Sequence, residues 1–390
     1  MPDTQSKVAF IWETRKLFGA EQRFLAMARA LNARGQPAIV LLEEDDARGL
    51  ERFVTEPIPN LLSFRWPWWV RVALRGSERL PRLWKAFGVG YFYRKASKHF
   101  LAGLRREHGI GLWHISMSSR IPPFLSGPVL FEVTSPDWAD RLVAEPGLLP
   151  ASMVLHAVSA SVAERLRRGL PDRRIIEAPM PFPNLDPAAE PLPDMGGKEN
   201  LIVFAHRFIP RKNGLLFARV ARRFLRTHPD WRIAFRGIGP QATAIQEVVA
   251  DEIRAGRVTV GYNVDLRAEL RRARLFVSII EPDNYPSQAI IEAMTCGNAL
   301  LLSDLGRTRE KFFDGNGLMT EIDEDRVLAS LTTLVGDPAR LDAMGLRSYA
   351  LVSERFSQDA YLAHLVCVYA DLGFSAGAPT RIDGVAPKAA

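Results

Sequence analysis

The chain has 390 residues, of which 47% are hydrophobic and 24% charged, with a net charge of +7 and two cysteines. The composition is that of a globular protein, and the length exceeds what one ordinary core organises, so two domains are expected. Cys296 and Cys367 are too few for a disulfide framework and lack metal-ligand spacing, no run of 18 apolar residues offers a membrane span, and the first residues carry no signal-peptide pattern, so a reducing cytoplasm is the expected compartment.

Residues 7–12 (KVAFIW) read as a buried strand, followed by a loop. A helix is expected over 22–34, with Phe24, Met27, Ala28 and Leu31 on one face at helical spacing and Gly35 ending it. QPAIVLLEE (36–44) is the next strand, and that order is a βαβ unit of a parallel sheet. LWHIS (112–116) and PVLFEVTS (128–135) supply later strands. Six prolines within 179–193 forbid a helix or a central strand and mark a linker. A second βα series runs through NLIVFAHRF (200–208), WRIAFRGIGP (231–240), VTVGY (258–262) and ARLFVSIIEP (273–282), then a helix from Ser287 and NALLLSD (298–304). The expectation is an α/β protein with two tandem Rossmann-like, doubly wound parallel-sheet domains facing a central cleft. The domains are placed at 1–180 and 201–355, with the proline-rich linker at 181–200. The small, polar and proline-rich tail, 375–390, is expected to be disordered.

In open α/β sheets ligands sit at the carboxyl ends of the strands, so the loops there carry the chemistry. In FGAEQ (18–22), Gly19 lets backbone approach a ligand and the following helix offers free N–H groups to an anion; an ordinary loop glycine fits as well. The spaced three-glycine dinucleotide fingerprint is missing, which argues against a nicotinamide cofactor. FAHRFIPRKNG (204–214) places Arg207 and Lys212 five residues apart, with His206 and Arg211 beside them, between an apolar strand and a helix. Cations there face the positive end of the helix dipole, an arrangement that favours a bound anion. They would neutralise charge growing on a leaving diphosphate. Gly237, Gly239 and Pro240 follow another strand, where close approach to a ligand and a plain turn fit equally. EPDNYPSQAIIEAMTCG (281–297) gathers Glu281, Asp283 and Asn284 in a loop, starts a helix at Tyr285-Pro286-Ser287 with Ser287 as N-cap, and sets Glu292 inside that helix. The first free N–H groups suit a phosphate, and the carboxylate suits hydroxyls of ribose or sugar. Asp-Glu-Asp at 323–325 reads as the acidic first turn of a helix, and no catalytic metal is expected.

Taken in order, FGAEQ, HRFIPRKNG, RGIGP and NYPSQAIIEAMTCGNALLLSD resemble glycosyltransferase family 4, over roughly residues 7–373 with the specific motifs concentrated in 204–303. The resemblance implies the GT-B fold. It also implies transfer of a sugar, with retention and without a metal or other cofactor, from a nucleotide-diphosphate donor to an acceptor hydroxyl. Domain closure would exclude water. It implies that Arg207 and Lys212 hold the diphosphate, that Glu292 binds the ribose, and that the backbone of Tyr285, Pro286, Ser287 and Gln288 touches the donor, with Gly19 and Gly237 as further donor-side residues. Residues 356–374 would form a C-terminal helix crossing back to the first, acceptor-binding domain. Two positions depart from the family pattern. The first glutamate of Glu-x7-Glu falls at Asn284, so Glu281 or Asp283 substitutes for it, or Asn284 itself binds a sugar hydroxyl. Where many members have a histidine near the end of the strand at 128–134, this chain has Glu132, Val133 and Thr134. His114, one strand earlier, either serves on the acceptor side with Thr134 or packs in the core. Two alternatives share the fold: an inactive donor- or glycan-binding scaffold, and a sugar-nucleotide epimerase.

Residues 65–108 hold eleven Lys or Arg against two Glu, more than the surplus of the whole chain, and four of its eight tryptophans. Tryptophan favours the membrane interface and Lys/Arg attract anionic headgroups. The segment is therefore expected to dock on an anionic membrane, at the inner face of the cell membrane, and to present a lipid-linked or lipopolysaccharide acceptor. The pathway class would be synthesis of cell-surface polysaccharide, lipopolysaccharide or glycolipid. The competing reading is a helix pair with its aromatic residues turned into the core. No nucleic-acid-binding motif accompanies the patch, and no nucleic-acid partner is expected.

Overall fold

The structure, a computed structural model, describes residues 6–14, 19–51, 58, 60–68, 70–71, 89–119, 121–150, 152–262 and 266–374. The chain divides into two compact units. The first comprises the chain up to Pro181 and again from Asp359 onward, and the second is Phe182–Gln358.

The first unit has seven strands: β1 (Lys7–Ile11), β2 (Ala38–Glu43), β3 (Leu61–Phe64), β4 (Ile110–Ser116), β5 (Val129–Val133), β6 (Val154–Ala157) and β7 (Ile175–Glu177). Their order is β3-β2-β1-β4-β5-β6-β7, and every pairing is parallel. The second unit has six: β8 (Glu199–Ala205), β9 (Arg232–Arg236), β10 (Val258–Gly261), β11 (Ala273–Ser278), β12 (Ala299–Ser303) and β13 (Gly317–Thr320). Their order is β10-β9-β8-β11-β12-β13, again all parallel. Helices cover the faces, so central strands such as β5 and β12 are buried at every residue and read as continuous apolar runs. Each unit closes around its own core. Trp113, Phe131 and Leu166 mark the first, and Phe204, Phe217, Phe224 and Phe235 the second.

In each sheet the strand order reverses next to its first strand, between β1 and β4 and between β8 and β11. The loops leaving the carboxyl ends of such a pair diverge to opposite faces and open a crevice there.

Local chemistry fixes the element ends. The first helix is Gly19–Ala33, starting three residues earlier than the apolar spacing predicts, and Gly35 turns the chain at φ 73°. β5 stops at Val133 because Ser135 caps the helix Pro136–Ala144, its hydroxyl accepting the Trp138 N–H at 3.3 Å. Asp323 caps the helix Glu324–Val335 through the N–H groups of Asp325 and Arg326, the role the acidic run at 323–325 suggests.

The proline-rich stretch read as a linker is laid onto the second unit. The Tyr349 hydroxyl donates to the Glu190 carbonyl at 3.2 Å, Glu190 pairs with Arg267 and Arg271, and Pro193 covers Gly297. The helix Gln358–Asp371 packs within the first unit through buried Tyr361 and Tyr369 and an Arg174–Asp371 ion pair at 3.1 Å. The expectations placed on 15–18, 72–88 and 375–390, including Trp84, lie outside the described residues, as does Trp69. Among the described residues no helix is long and apolar enough to cross a membrane.

Candidate functional site

At the reversal of the second sheet, the loop after β8 and the loop after β11 lie side by side. The Glu281 N–H donates to the Arg211 carbonyl at 3.0 Å, and the Asn213 amide donates to the Ile279 carbonyl at 2.9 Å. The first loop passes through His206, Arg207 and Phe208 into a short turn, Pro210–Lys212. Asn213 then takes a left-handed conformation at φ 54°, and the helix Gly214–Thr227 begins. Three cations, Arg207, Arg211 and Lys212, thus precede a helix N-terminus. Burial pushes the Lys212 amine down to about 8, and the like charges of Arg211 and Arg207 push the same way. A dianion placed there would relieve that repulsion and meet the helix dipole. His206 is held neutral by burial and by Lys212, and its ring lies between Phe204 and Phe276 at 5.0 and 5.7 Å.

The glycine loop braces this cation loop. The Phe208 N–H donates to the Ile238 carbonyl at 3.0 Å, and the Gln241 N–H to the Phe208 carbonyl at 3.1 Å. A Cβ on Gly237 would collide with the His206 carbonyl oxygen, and one on Gly239 with that of Phe208. The close approach that Gly237 permits is therefore to the backbone bearing Arg207.

The loop after β11 corrects part of the sequence reading. Asn284 is 2% exposed. Its Oδ1 accepts from the Ser278 hydroxyl at 2.6 Å, and its Nδ2 donates to the hydroxyls of Ser303 at 2.8 Å and Thr308 at 3.2 Å. The whole amide is used in tying together the ends of β11 and β12, so Asn284 has no group to offer a sugar. Asp283 is also committed, accepting the N–H groups of Tyr285 at 3.0 Å and Arg307 at 3.0 Å. Glu281 is the exposed carboxylate of the loop, and it sits beside the cation turn. Tyr285 is buried with its ring 5.7 Å from that of Phe312, so it can meet a donor only through its backbone. Pro286 and Ser287 are half-buried, and Ser287 occupies the N-cap position without a side-chain cap bond.

In the helix Gln288–Thr295 the Gln288 side chain faces the entering chain. Its Oε1 accepts the Asn184 N–H at 3.2 Å and its Nε2 donates to the Phe182 carbonyl at 2.9 Å, which leaves only its backbone for a donor. One turn on, Glu292 is half-buried and receives a hydrogen bond from the Asn184 amide at 3.1 Å. Burial pushes its carboxyl up to about 7, against the opposing pull of that amide. Asn184 lies in the stretch read as a linker, and nothing local in its sequence pointed to a carboxylate more than a hundred residues away.

The residues predicted on the acceptor side, His114 and Thr134, lie in the first unit, and so does Gly19, which was predicted on the donor side. Gly19 opens the helix after β1, and Thr134 sits half-buried just past β5. His114 is a core residue: its Nδ1 pairs with the Tyr369 hydroxyl at 2.8 Å and its ring packs on Phe10 and Phe24 at 4.9 and 5.0 Å. Burial pushes it down to about 3, so it is neutral and shielded from substrate. Glu132 forms a buried ion pair with Arg23, and the Tyr361 hydroxyl donates to it at 3.1 Å. Burial acts to raise the Glu132 carboxyl, but the Arg23 charge together with His156 and His114 outweighs it and holds it at about 2. Position 132 is thus part of the anchor for the C-terminal helix.

The basic segment divides similarly. Trp66 is buried against Phe64 and Phe100 at 5.5 and 5.3 Å, whereas Trp68 is 70% exposed. On the helix Val89–Glu107, Arg94, Lys95, Lys98, His99 and Arg106 are exposed. Two adjoining grooves flank that helix, one lined by Lys95, Lys98 and His99, the other by Arg105, Arg106 and Ser6. Gly109, Ile110 and Ser126 line them too, and these residues precede or open β4 and β5. The grooves therefore lie at the amino edge of the sheet, away from its ligand-binding edge. Among the described residues no three His, Cys, Asp or Glu side chains gather as metal ligands.

Residues 199–337 match the family described as Glycosyl transferases group 1. No curated protein sequence matches the chain significantly. Among solved structures, sucrose-phosphate synthase from Thermosynechococcus elongatus superimposes with a TM-score of 0.70 at 17% identity, covering 95% of this chain and 99% of its own. A glycosyltransferase from Rickettsia africae gives 0.66 at 12% identity, covering 95% and 99%. HepE from Anabaena gives 0.66 at 16%, covering 94% and 100%. The match spans both loops of the second unit, and the fold is shared along nearly the whole chain. The resemblance read from the motifs is thus supported at the level of the family for the second unit, where residues 199–337 match the group 1 glycosyltransferases, and the fold shared along nearly the whole chain is GT-B.

Proposed function

We propose that this chain transfers a sugar from a nucleotide-diphosphate sugar to an acceptor hydroxyl, with retention of configuration and without a catalytic metal. One observation carries the reading: three cations, Arg207, Arg211 and Lys212, precede a helix N-terminus beside the loop that leads into the Glu292 helix, at the reversal of the second sheet. Arg207, Arg211 and Lys212 would hold the diphosphate and stabilise charge as it leaves. The backbone N–H groups at 287–288 would add neutral donors, and Glu292 would accept hydrogen bonds from the ribose hydroxyls. Glu281, rather than Asn284, is then the carboxylate nearest the leaving group. HepE is solved with UDP and glucose and with UDP-glucose, and a pneumococcal O-GlcNAc transferase neighbour is solved with UDP and GlcNAc, so UDP is the first nucleotide to try.

Thermal shift with UDP, GDP, ADP and CMP, each with EDTA, tests the site on wild type and Arg207→Ala. A ligand that binds the native state raises the melting temperature. One nucleotide should do so, and Arg207→Ala should abolish the shift; no shift with any of them would refute the donor site. Turnover that vanishes with EDTA would refute the metal-free part. An inactive scaffold would bind nucleotide without turnover, and an epimerase would alter the donor with no acceptor present.

For the acceptor we propose a lipid-linked or glycan substrate in the synthesis of cell-surface polysaccharide, lipopolysaccharide or glycolipid, at the cytoplasmic face of the membrane. Exposed Trp68 and the cationic helix face support docking on anionic lipid. Because the grooves lie at the amino edge, the patch would hold the protein at the membrane rather than contact the acceptor. Co-sedimentation with anionic vesicles should exceed that with neutral ones; equal binding would end this part of the reading.

A further inference from the structure

The chain enters the second unit at Phe182 and leaves it at Gln358. These two points are joined, because the buried Gln358 amide donates to the Pro183 carbonyl at 2.9 Å. On either side of Pro183, Phe182 and Asn184 are clamped to the Glu292 helix. Gln288 grips the Phe182 carbonyl at 2.9 Å and the Asn184 N–H at 3.2 Å. With its backbone fixed in this way, the Asn184 side chain reaches Glu292 at 3.1 Å.

We propose that Asn184 is a positioning residue for donor recognition: its amide holds the Glu292 carboxyl group in the orientation that reads the ribose diol of a nucleoside diphosphate. The proposal rests on the donor site described above and goes beyond it by assigning a role outside the matched domain, whose first residue is Glu199.

Two features favour this role over simple packing. The Asn184 Oδ1 is buried without a hydrogen-bond partner. An amide that served only to fill space would satisfy both ends or neither, since a buried unsatisfied oxygen is costly; here the donor end is spent on the one partly exposed carboxyl of the helix. An amide also suits this partner chemically. Nδ2 donates to the carboxyl oxygen, so the amide both orients Glu292 and favours its ionised form, the one that accepts from hydroxyls. No charged side chain contributes to the titration of Glu292 among the described residues. Burial and Asn184 set it, and the titratable group that Glu292 in turn acts on is the buried Cys296 thiol on the same helix, which burial pushes up to about 12.

The test is calorimetric binding of UDP-glucose and its 2′-deoxyuridine form, or of whichever nucleotide-diphosphate sugar the wild type binds and its 2′-deoxyribose form, near neutral pH and again at acid pH. Wild type should prefer the ribose form by about tenfold, the worth of one charge-assisted hydrogen bond. Asn184→Ala should reduce that preference to about twofold, weakening the ribose form more than the 2′-deoxy form, which keeps only the 3′-hydroxyl. It should also move the acid loss of affinity to higher pH, because the group that favours the ionised carboxyl is gone. Asn184→Asp keeps the size but replaces the donor with an acceptor, and should show the same loss, which covers a failure of the alanine variant to fold. The proposal is overturned if either folded variant keeps the wild-type preference, or if ribose and deoxyribose forms weaken equally, as a packing defect would cause. Wild type that binds no nucleotide at all would overturn the donor site itself, an outcome distinct from variants that bind but discriminate normally.

Discussion

Donor affinity should have an optimum between the titrations of two residues on neighbouring loops. Lys212 is held at about 8 and Glu292 at about 7 in the free protein. Lys212 must be protonated to hold the diphosphate, and Glu292 must be ionised to accept from the ribose hydroxyls. The signs follow. Above pH 8 the amine loses its proton, and each further unit weakens binding by up to tenfold. Below pH 7 the carboxylate gains one, with the same limit in the other direction. Combining the two, affinity should peak near pH 7.5 and be weaker by about sixfold at pH 6 and at pH 9, if both groups are fully required. A nucleotide-diphosphate sugar is the proper probe, because its diphosphate diester does not titrate in this range. Calorimetry across pH would trace the curve. It should also detect proton uptake on binding at pH 8, since the bound dianion raises the Lys212 amine. Lys212→Arg keeps its charge at every accessible pH and should flatten the alkaline limb alone. Glu292→Gln should flatten the acid limb alone, at reduced affinity. An alkaline limb that survives in Lys212→Arg would refute the assignment of that cation to the diphosphate.

Gly237→Ala would press a methyl group into the His206 carbonyl, and the obstacle is backbone. It should cost about 1–3 kcal/mol of stability and weaken nucleotide binding by displacing the Arg207 loop, read by denaturant melts and calorimetry; unchanged binding would mean the glycine loop does not brace the cations. Asn284→Ala should destabilise the second unit by about 2–3 kcal/mol because buried Ser278, Ser303 and Thr308 lose their shared partner. Asn284→Glu should be no better, and a gain in turnover from it would contradict the structural role. Arg23→Met leaves Glu132 buried and uncompensated, which should cost about 3–5 kcal/mol, measured by chemical denaturation. The double variant Arg23→Met/Glu132→Leu should recover much of that loss, and if it does not, the pair is not what links β5 to the first helix.

The fold was legible because parallel strands covered on both faces leave an apolar run that a short stretch of sequence shows completely. β8, β11 and β12 are such runs, and the loops after β8 and β11 follow directly from them. β3 and β7 were not legible. They are four and three residues long, lie at the edges of their sheet and are mostly half-buried, so they carry neither a continuous run nor a clean alternation. The proline-rich stretch was misjudged for a related reason. Proline rules out helix and central strand, but it does not rule out an extended segment held by side chains, and here Tyr349, Arg267 and Gln288 supply the hold.

Residue identity pointed to the candidate site where a charge had no local reason to be present, and misled where a polar group had a hidden one. Arg207 and Lys212 were legible because cations before a helix N-terminus oppose its dipole, a conflict visible in eleven residues of sequence. Asn284 and His114 carry the same polar groups as ligand-binding residues, yet their partners arrive from other strands and from a helix 255 residues further on. Asn184 is the converse case: a residue in an unpromising segment whose role appears only when the entering chain folds onto Glu292. The departure at position 284 need not mean a lost activity. An asparagine there is accounted for in full by the β11–β12 junction, and Glu281, three residues earlier, places a carboxylate beside the Arg211 turn. If Glu281 does the work of the missing glutamate, Glu281→Gln should lower turnover by at least tenfold while nucleotide affinity stays within about twofold, because its backbone contact to Arg211 is kept. A variant with normal turnover would show that Glu281 does not do that work and that catalysis rests on another group.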